Sequence, residues 1–206
     1  MALIARSNEL RAILNERARD SMRAAGLLGR DIPGLARQPL AVGDVVVCRQ
    51  NDRRLGVANG ARGRIAGIDA DGITVAIGDQ RSVVLPLAYA RSGALEHGYA
   101  ITGHLSQAAT FDHAMVVASP HHHTKQWSYT ALSRSRTATR LVVLTESARD
   151  QPAEHSLPID PLEAQDALTR VAACMTRNET EGERRRGSPS ASTPLYQVDQ
   201  SRARGR

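Results

Sequence analysis

Residues 99–112 read Tyr-Ala-Ile-Thr-Gly-His-Leu-Ser-Gln-Ala-Ala-Thr-Phe-Asp, and residues 129–136 read Tyr-Thr-Ala-Leu-Ser-Arg-Ser-Arg. In each stretch a polar cluster stands beside a short apolar run, a pattern typical of a strand that leads into a functional loop. Small hydroxyls, an imidazole and guanidinium groups suit contact with phosphate oxygens. The two stretches are therefore the candidate functional loops of the chain.

The first 42 residues predict a strand followed by a helix. Residues 2–5 form a short apolar run, Ser7 or Asn8 can cap the helix, and Gly26 stops it. The strand-then-helix order suits an α/β domain. The apolar residues of the helix fall near one face, and they are Leu10, Ile13, Leu14, Ala18, Met22 and Ala25. Residues 27–42 carry glycines and prolines and are interpreted as a linker.

Residues 43–90 change to short β-branched runs. The four predicted strands are Asp44–Arg49, Gly63–Ile68, Ile73–Ile77 and Ser82–Leu87. The dipeptides Asn59-Gly60 and Asp71-Gly72 lie between them and favour hairpin turns. Strands this short and closely spaced predict a small antiparallel barrel.

Residues 91–175 return to longer elements that are apolar on both sides, as in a parallel sheet covered by helices. The predicted strands are Tyr99–Thr102, Ala114–Ala118 and Leu141–Thr145, and the predicted helices are His104–Gln107, Lys125–Ser133 and Pro161–Cys174. Residues 176–206 are rich in Arg, Ser, Pro and Gly, and this basic tail is predicted to be disordered.

The composition favours an anionic partner. The net charge is +6, and 26 of the 27 Lys and Arg residues are Arg, whose planar fork matches phosphate. Codon bias in a GC-rich genome is the alternative explanation for this Arg content. No apolar run is long enough to span a membrane, no signal peptide is recognisable, and Cys48 and Cys174 are far apart. We therefore expect buried thiols and a cytoplasmic protein.

The two opening stretches resemble the last two motor motifs of superfamily 1 helicases. The resemblance is to the branch that contains RecD and the TraA/TrwC-type conjugative relaxase-helicases, which commonly read Tyr-Ala-x-Thr-x-His-x-x-Gln-Gly-x-Thr and then Tyr-x-Ala-[Leu/Val]-[Ser/Thr]-Arg-x-Arg. It implies an α/β fold: the second RecA-like motor domain, a parallel sheet with helices. In that branch a small antiparallel barrel interrupts this domain just before the fifth motif, which is where residues 43–90 stand.

The resemblance assigns a role to each polar residue of the two stretches. Arg134 is the implied catalytic residue, the cation that reaches the γ-phosphate, and a solvated helix end is the alternative. Gln107, Thr110 and Arg6 are implied at the nucleotide, with helix-surface or ordinary surface positions as alternatives for Gln107 and Arg6. The implied DNA contacts are Thr102, His104, Ser106 and Arg136, and a buried histidine is the alternative for His104.

Two positions depart from the family pattern. Ala108 replaces the usual Gly after the Gln, and Leu105 replaces the usual Lys after the His. The first change forbids a positive φ that Gly allows, and the second removes a phosphate contact, so a decayed motif is one interpretation. His121–His123 are adjacent and without Cys or acidic partners, which favours an exposed loop and predicts no metal site.

The sequence contains no G-x-x-x-x-G-K-[ST] phosphate loop and no strand that ends in Asp-Glu. We therefore expect the C-terminal half of an ATP-dependent DNA helicase that is inactive alone. ATP and Mg²⁺ would act only with a complementary first motor domain, for which a separate chain is one source. Single-stranded DNA would be bound without sequence preference. The alternative is an orphan DNA- or protein-binding module without ATP chemistry. We expect the chain to divide into four segments, which are residues 1–42, 43–90, 91–175 and 176–206.

Overall fold

The computed structural model describes residues 1–78, 81–106, 109–118, 124–144 and 161–176. The strands are β1 (Ala2–Ala5), β2 (Val45–Cys48), β3 (Arg62–Ile68), β4 (Ile73–Ile77), β5 (Arg81–Leu85), β6 (Leu95–His97), β7 (Ala100–Thr102), β8 (Phe111–Ala118) and β9 (Ser135–Val143). The helices are α1 (Asn8–Ala24), α2 (Leu87–Tyr89), α3 (Gly103–Ser106), α4 (Lys125–Leu132) and α5 (Pro161–Thr176), with a π-helical turn at Ala90–Ala94.

The first sheet is parallel, with the strand order β7-β1-β8-β9. Its central strands are buried on both sides, and Ile4 and Val116 have no exposed surface. Trp127 and Ala131 of α4 join these residues in one core. This arrangement confirms the predicted α/β class, a parallel sheet with helices.

The second sheet is antiparallel, with the order β5-β4-β3-β2-β6. The β3–β4 hairpin turns at the predicted Asp71-Gly72, where Asp69 Oδ1 accepts hydrogen bonds from both backbone N–H groups at 2.9 and 3.1 Å. Each of the four strands predicted here is present, with ends shifted by no more than two residues. Closure of the sheet into a barrel stays a prediction.

Two expectations about element boundaries and faces were wrong. Strand β9 begins at Ser135, six residues before the predicted Leu141, so Arg136 lies in a strand. In α1 the Ser7 cap is confirmed, because its side chain accepts from Leu10 N at 3.1 Å. However, Ile13 is 44% exposed and the buried residue of α1 is the polar Asn15. The other members of the predicted face, apart from Ala25, are half-buried, so this helix contacts the protein through polar and apolar side chains together.

Asn15 attaches α1 to the parallel sheet through backbone hydrogen bonds. Its Nδ2 donates to Ala100 O, and its Oδ1 accepts from Ala100 N, both at 3.0 Å. This amide completes the edge of β7 as another strand would, and β7 is the last strand of the sheet on that side. The helix position is thereby fixed by two directional bonds.

A buried carboxylate joins α1 to the antiparallel sheet. Asp44, just before β2, has no exposed surface and accepts from Arg19 Nε at 3.0 Å. It also accepts from the Tyr99 hydroxyl and from Ala41 N, both at 2.7 Å. Burial, together with this hydrogen bond, raises the pKa of Tyr99, so the phenol stays protonated at neutral pH.

The segment between α1 and β2 contributes to the core of the antiparallel sheet. Leu35 and Leu40 are buried there, and Ile32 pairs with Leu40 in a single bridge. Leu95 of β6, which follows residue 90 in the chain, belongs to the same core. The antiparallel sheet therefore draws packing residues from both sides of the 43–90 stretch.

The structure describes the chain as far as Thr176, where α5 ends. The basic tail beyond it lies outside the described residues, so its disorder stays a prediction. Cys48 and Cys174 are both buried and free of disulfides, as expected. No helix in the described part of the chain is long and apolar enough to cross a membrane.

We predict that Asp44→Ala lowers the free energy of unfolding by about 3 kcal/mol, because it leaves Arg19 and the Tyr99 hydroxyl without their buried acceptor. The estimate is at the low end for a broken buried pair because Asp31 still accepts from Arg19 Nη2 at 2.5 Å. Urea denaturation followed by circular dichroism measures the change. Asp20→Ala, an exposed position on α1, is the control and should change stability by less than about 0.5 kcal/mol. Equal effects of the two substitutions would contradict the assigned role of Asp44.

Candidate functional site

The predicted site residues fall at two opposite edges of the parallel sheet. In its register, Ala5 aligns with Thr102 and with Val117, near the carboxyl ends of the strands. Phe111 aligns with Ser135 at the amino ends. The backbone between α3 and β8 connects the edge that holds Thr102 to the edge that holds Phe111. The two edges are therefore joined by a short stretch of backbone.

The carboxyl edge carries Arg6, Thr102 and His104. Thr102 ends β7 and is half-buried, whereas His104 on α3 is exposed. The Arg6 guanidinium lies over the Trp127 ring, 5.7 Å from its centroid. These groups form a cationic, hydroxyl-bearing surface that suits a phosphate backbone.

Trp127 supports this surface from below, and it was missed in the sequence. It is 5% exposed and packs directly beneath Gly103, where an added Cβ would lie 2.4 Å from the indole Nε1. Glycine at residue 103 therefore lets α3 approach α4 closely. The family pattern leaves the position between Thr102 and His104 open, so it gave no signal for this contact, and Trp127 lies in a separate element, α4.

Ser106 and Leu105 face the protein instead of solvent. Ser106 is fully buried, and its hydroxyl donates to Gly103 O at 2.7 Å, which closes the turn of α3. Leu105 packs against the core of the parallel sheet. The replacement of the usual Lys by Leu is thus matched by an apolar environment. Of the two predicted DNA contacts on α3, His104 is therefore exposed, whereas Ser106 is buried and has no surface for such a contact.

The amino edge carries Arg134 and Thr110. Arg134 lies in the turn between α4 and β9, and its carbonyl accepts from Phe111 N at 2.9 Å. Its Nε donates to Thr130 O and its Nη2 to the Ser133 hydroxyl, both at 2.9 Å. Thr110 is exposed. It precedes Phe111, which aligns with Ser135, the residue after Arg134. A partly buried guanidinium held at a helix end beside an exposed hydroxyl suits an incoming phosphate.

Arg6 is not brought to the amino edge. It follows Ala5, which aligns with Val117, while Arg134 precedes Ser135, which aligns with Phe111. The six residue steps from Phe111 to Val117 span about 20 Å of strand. Arg6 and Arg134 therefore do not meet within this chain, and Arg6 lies with Thr102 and His104.

Arg136 and Arg62 differ sharply in burial. Arg136 is exposed on β9, 3.9 Å from the equally exposed Asp112. Arg62 is largely buried, donates to Gly98 O at 2.5 Å, and lies 5.7 Å over the Phe111 ring centroid. Burial lowers the pKa of Arg62 to about 10, so it remains charged at neutral pH. Arg62 links the antiparallel sheet to the amino edge, and no sequence pattern indicated it.

Some of the predicted residues cannot be placed. Gln107, Ala108 and His121–His123 lie outside the described residues. Among the residues that are described, no group of three or more His, Cys, Asp or Glu side chains could hold a metal ion. The amino edge thus fits a phosphate group through Arg134 and Thr110, and it contains no carboxylate cluster that fits Mg²⁺.

The chain is similar in sequence to conjugal transfer proteins. It is 32% identical over 130 residues to the probable conjugal transfer protein TraA of Sinorhizobium fredii (strain NBRC 101917 / NGR234), a match that covers 60% of the chain. It is 34% identical over 143 residues, or 66% of the chain, to the conjugal transfer protein TraA of Rhizobium radiobacter. The chain spans 12% of the length of each of these relatives. No known family model matches it.

Solved structures of Pif1 helicases are distant neighbours. Pif1 from Candida albicans has a TM-score of 0.49 at 16% identity and matches 74% of this chain and 47% of its own. Bacteroides Pif1 bound to ssDNA has a TM-score of 0.46 at 18% identity and matches 84% of this chain and 46% of its own. At these scores the likeness has no weight in assigning a function.

We predict that Gly103→Ala displaces α3 and weakens any ligand contact at the carboxyl edge, because the new Cβ would overlap the Trp127 indole. Stability should fall by about 1–3 kcal/mol, the usual effect of overpacking. Trp fluorescence and thermal denaturation measure both changes. Gly67→Ala is the matched control, since nothing lies within 4 Å of its Cβ position. An unchanged Trp127 spectrum in Gly103→Ala would rule out this packing contact.

Proposed function

We propose that this chain forms part of the second motor domain of a TraA-like DNA helicase. The observation that carries the proposal is the sequence identity of 32–34% to TraA conjugal transfer proteins over 60–66% of the chain. The two motif stretches, at residues 99–112 and 129–136, support it from the residues upward. The finer assignment to the RecD-like branch, with relaxase-type relatives, belongs to the same proposal.

The amino edge would be the nucleotide edge. The Arg134 guanidinium donates to the Thr130 carbonyl and to the Ser133 hydroxyl, among its partners. A γ-phosphate would offer the guanidinium two anionic oxygens in a bidentate arrangement, which the carbonyl and hydroxyl oxygens do not, so the guanidinium would exchange these partners for it. The charge that develops on the phosphoryl oxygens during hydrolysis would then be stabilised by Arg134. Thr110 and Gln107 would bind nearby on the nucleotide.

The phosphate loop and the Mg²⁺ ligands would come from a first motor domain, either elsewhere in a longer protein or on a separate chain. ATP with bound Mg²⁺ would supply the phosphoryl group and its charge neutralisation there. The residues of this chain would complete the site from the other side. On its own, the stretch described here would have no ATPase activity, because it lacks the groups that cradle the β- and γ-phosphates.

The carboxyl edge would be the DNA edge. His104 is exposed, Thr102 is half-buried, and Arg6 stacks on Trp127 beside them. Arg6 is proposed here as a DNA contact, since it lies about 20 Å of strand away from the nucleotide edge. Residues 103–110 connect the two edges and would couple nucleotide state to DNA contact. Contacts of this kind read phosphates and carry no base code.

The second candidate is a DNA- or protein-binding module without ATP chemistry. Leu105 favours it, because a hydrophobic residue packed against the core stands where the family has a phosphate-binding Lys. The position of Arg6 away from Arg134 also favours it. The two candidates differ in one measurable property, the requirement for Arg134 in ATP hydrolysis.

We predict that mixing this chain with a TraA first motor domain restores DNA-stimulated ATP hydrolysis, and that Arg134→Ala lowers its turnover about 10³-fold or more, by analogy with other arginine fingers. Nucleotide affinity should change much less, since the charge develops in the transition state. Steady-state ATPase assays with single-stranded DNA measure turnover, and each chain is assayed alone for background.

The matched control for Arg134 is Arg140→Ala, an exposed Arg on β9 outside both motifs. It should retain most of the turnover. Near-normal turnover of Arg134→Ala would show that Arg134 is a surface cation. Failure of the mixture to hydrolyse ATP above background, with both chains folded, would favour the binding module.

We predict that single-stranded DNA binds weakly, without sequence preference, and with a steep decrease in affinity from low to physiological salt. His104→Ala and removal of residues 176–206 should each weaken binding, because the first removes an edge contact and the second removes seven Arg against four acidic residues. Fluorescence anisotropy across a salt series measures the affinity. His113→Ala, an exposed His on β8, is the control. Tight, salt-independent binding to one sequence would contradict the helicase-derived interpretation.

A further inference from the structure

A cleft of about 120 Å³ lies where α1 meets the antiparallel sheet, away from both edges of the parallel sheet. Arg11 and Asn15 line it from α1, Arg37 and Gln38 from the segment before β2, and Glu96 from β6. A tetrahedral oxyanion fits this space.

The cleft contains a buried donor that has no acceptor. Arg11 Nη1 donates to Glu96 Oε2 at 3.1 Å. Its Nε–H is buried and has no hydrogen-bond partner within the described part of the chain. Buried donors in native proteins are nearly always paired, so an acceptor from outside the chain is expected here.

The charges around the cleft favour an anion as that acceptor. Glu96 is shared between Arg11 and Arg49, with the Arg49 Nε 3.5 Å from the same carboxylate oxygen. Arg37 also lines the cleft, so the cleft and its border carry three guanidinium groups against one carboxylate. The Asn15 amide is already bonded to backbone and contributes no charge. His97 Nε2 lies 3.0 Å from Pro39 O and donates to it, because a carbonyl only accepts.

We propose that this cleft binds a single phosphate group, held by the Arg11 Nε–H, the Arg37 guanidinium and the Gln38 amide. The group is either free phosphate or the terminal phosphate of a nucleotide, because both present the same oxyanion. Arg11 would bind it with the edge of its guanidinium that Glu96 leaves open. The site is independent of the proposed motor function, since it uses neither Arg134 nor the residues around His104.

The test measures binding of inorganic phosphate by isothermal titration calorimetry and by thermal denaturation, at constant ionic strength set with chloride. Wild type should bind phosphate saturably and gain thermal stability. Arg11→Gln should raise the dissociation constant roughly tenfold or more, because it removes a charged donor. Arg17→Gln is the matched control, an exposed Arg on the same helix, and should bind as wild type does.

Arg37→Gln and Gln38→Ala keep the test decisive if Arg11→Gln fails to fold, because both residues are exposed at the rim. Each should raise the dissociation constant several-fold. Competition by thymidine 5′-monophosphate but not by thymidine would assign the group to a nucleotide end, and binding of phosphate alone would assign it to the free anion. Absence of saturable binding by wild type would overturn the proposal. So would equal weakening by Arg17→Gln and Arg11→Gln, or wild-type binding by both rim variants.

Discussion

The relative position of the two sheets depends on the Asp44 carboxylate. Two elements that are distant in sequence converge on it, α1 through Arg19 and the residue before β7 through Tyr99, and Ala41 N of its own turn donates to it as well. A fully buried carboxylate is unfavourable unless its oxygens are bonded and its charge is paired. Because each partner comes from a different element, these elements can satisfy it only in one relative position. The hydrogen bonds to Asp44 therefore fix a relative orientation of these elements that apolar packing alone would not determine.

This junction also explains why the polar face of α1 turns inward. Asn15 bonds both backbone groups of Ala100, and Arg19 lies one turn later on the same face. Residues four apart on a helix lie above one another, so the two side chains reach β7 and Asp44 in a single stripe. The sheet order leaves β7 at an edge, where unpaired backbone groups need partners. The helix thus caps the parallel sheet and anchors the antiparallel sheet through one face.

The sequence was informative where local patterns decide the structure. Asp71-Gly72 predicted its hairpin, Ser7 predicted the start of α1, and the apolar runs predicted β1, β4 and β8. It was uninformative where partners are distant. The start of β9 is a polar run, Ser135 to Arg140, which forms a strand because β8 pairs with it and because the outer edge faces solvent. The inward position of Asn15 likewise depends on Ala100, 85 residues away in sequence.

The same distinction applies to the candidate site. Motif spacing identified His104 and Arg134, but only the strand register shows that they occupy opposite edges of one sheet. Arg6 was grouped with the nucleotide residues by its motif, and the register places it beside His104 instead. A short motif shows which residues act together in a family. The order and register of the parallel strands determine the end of the sheet at which each of these residues lies. Residues 103–110, of which Gln107 and Ala108 lie outside the described residues, connect the end of β7 to the start of β8. The close packing of Gly103 on Trp127 therefore links the position of His104 to α4, the helix that precedes the turn holding Arg134.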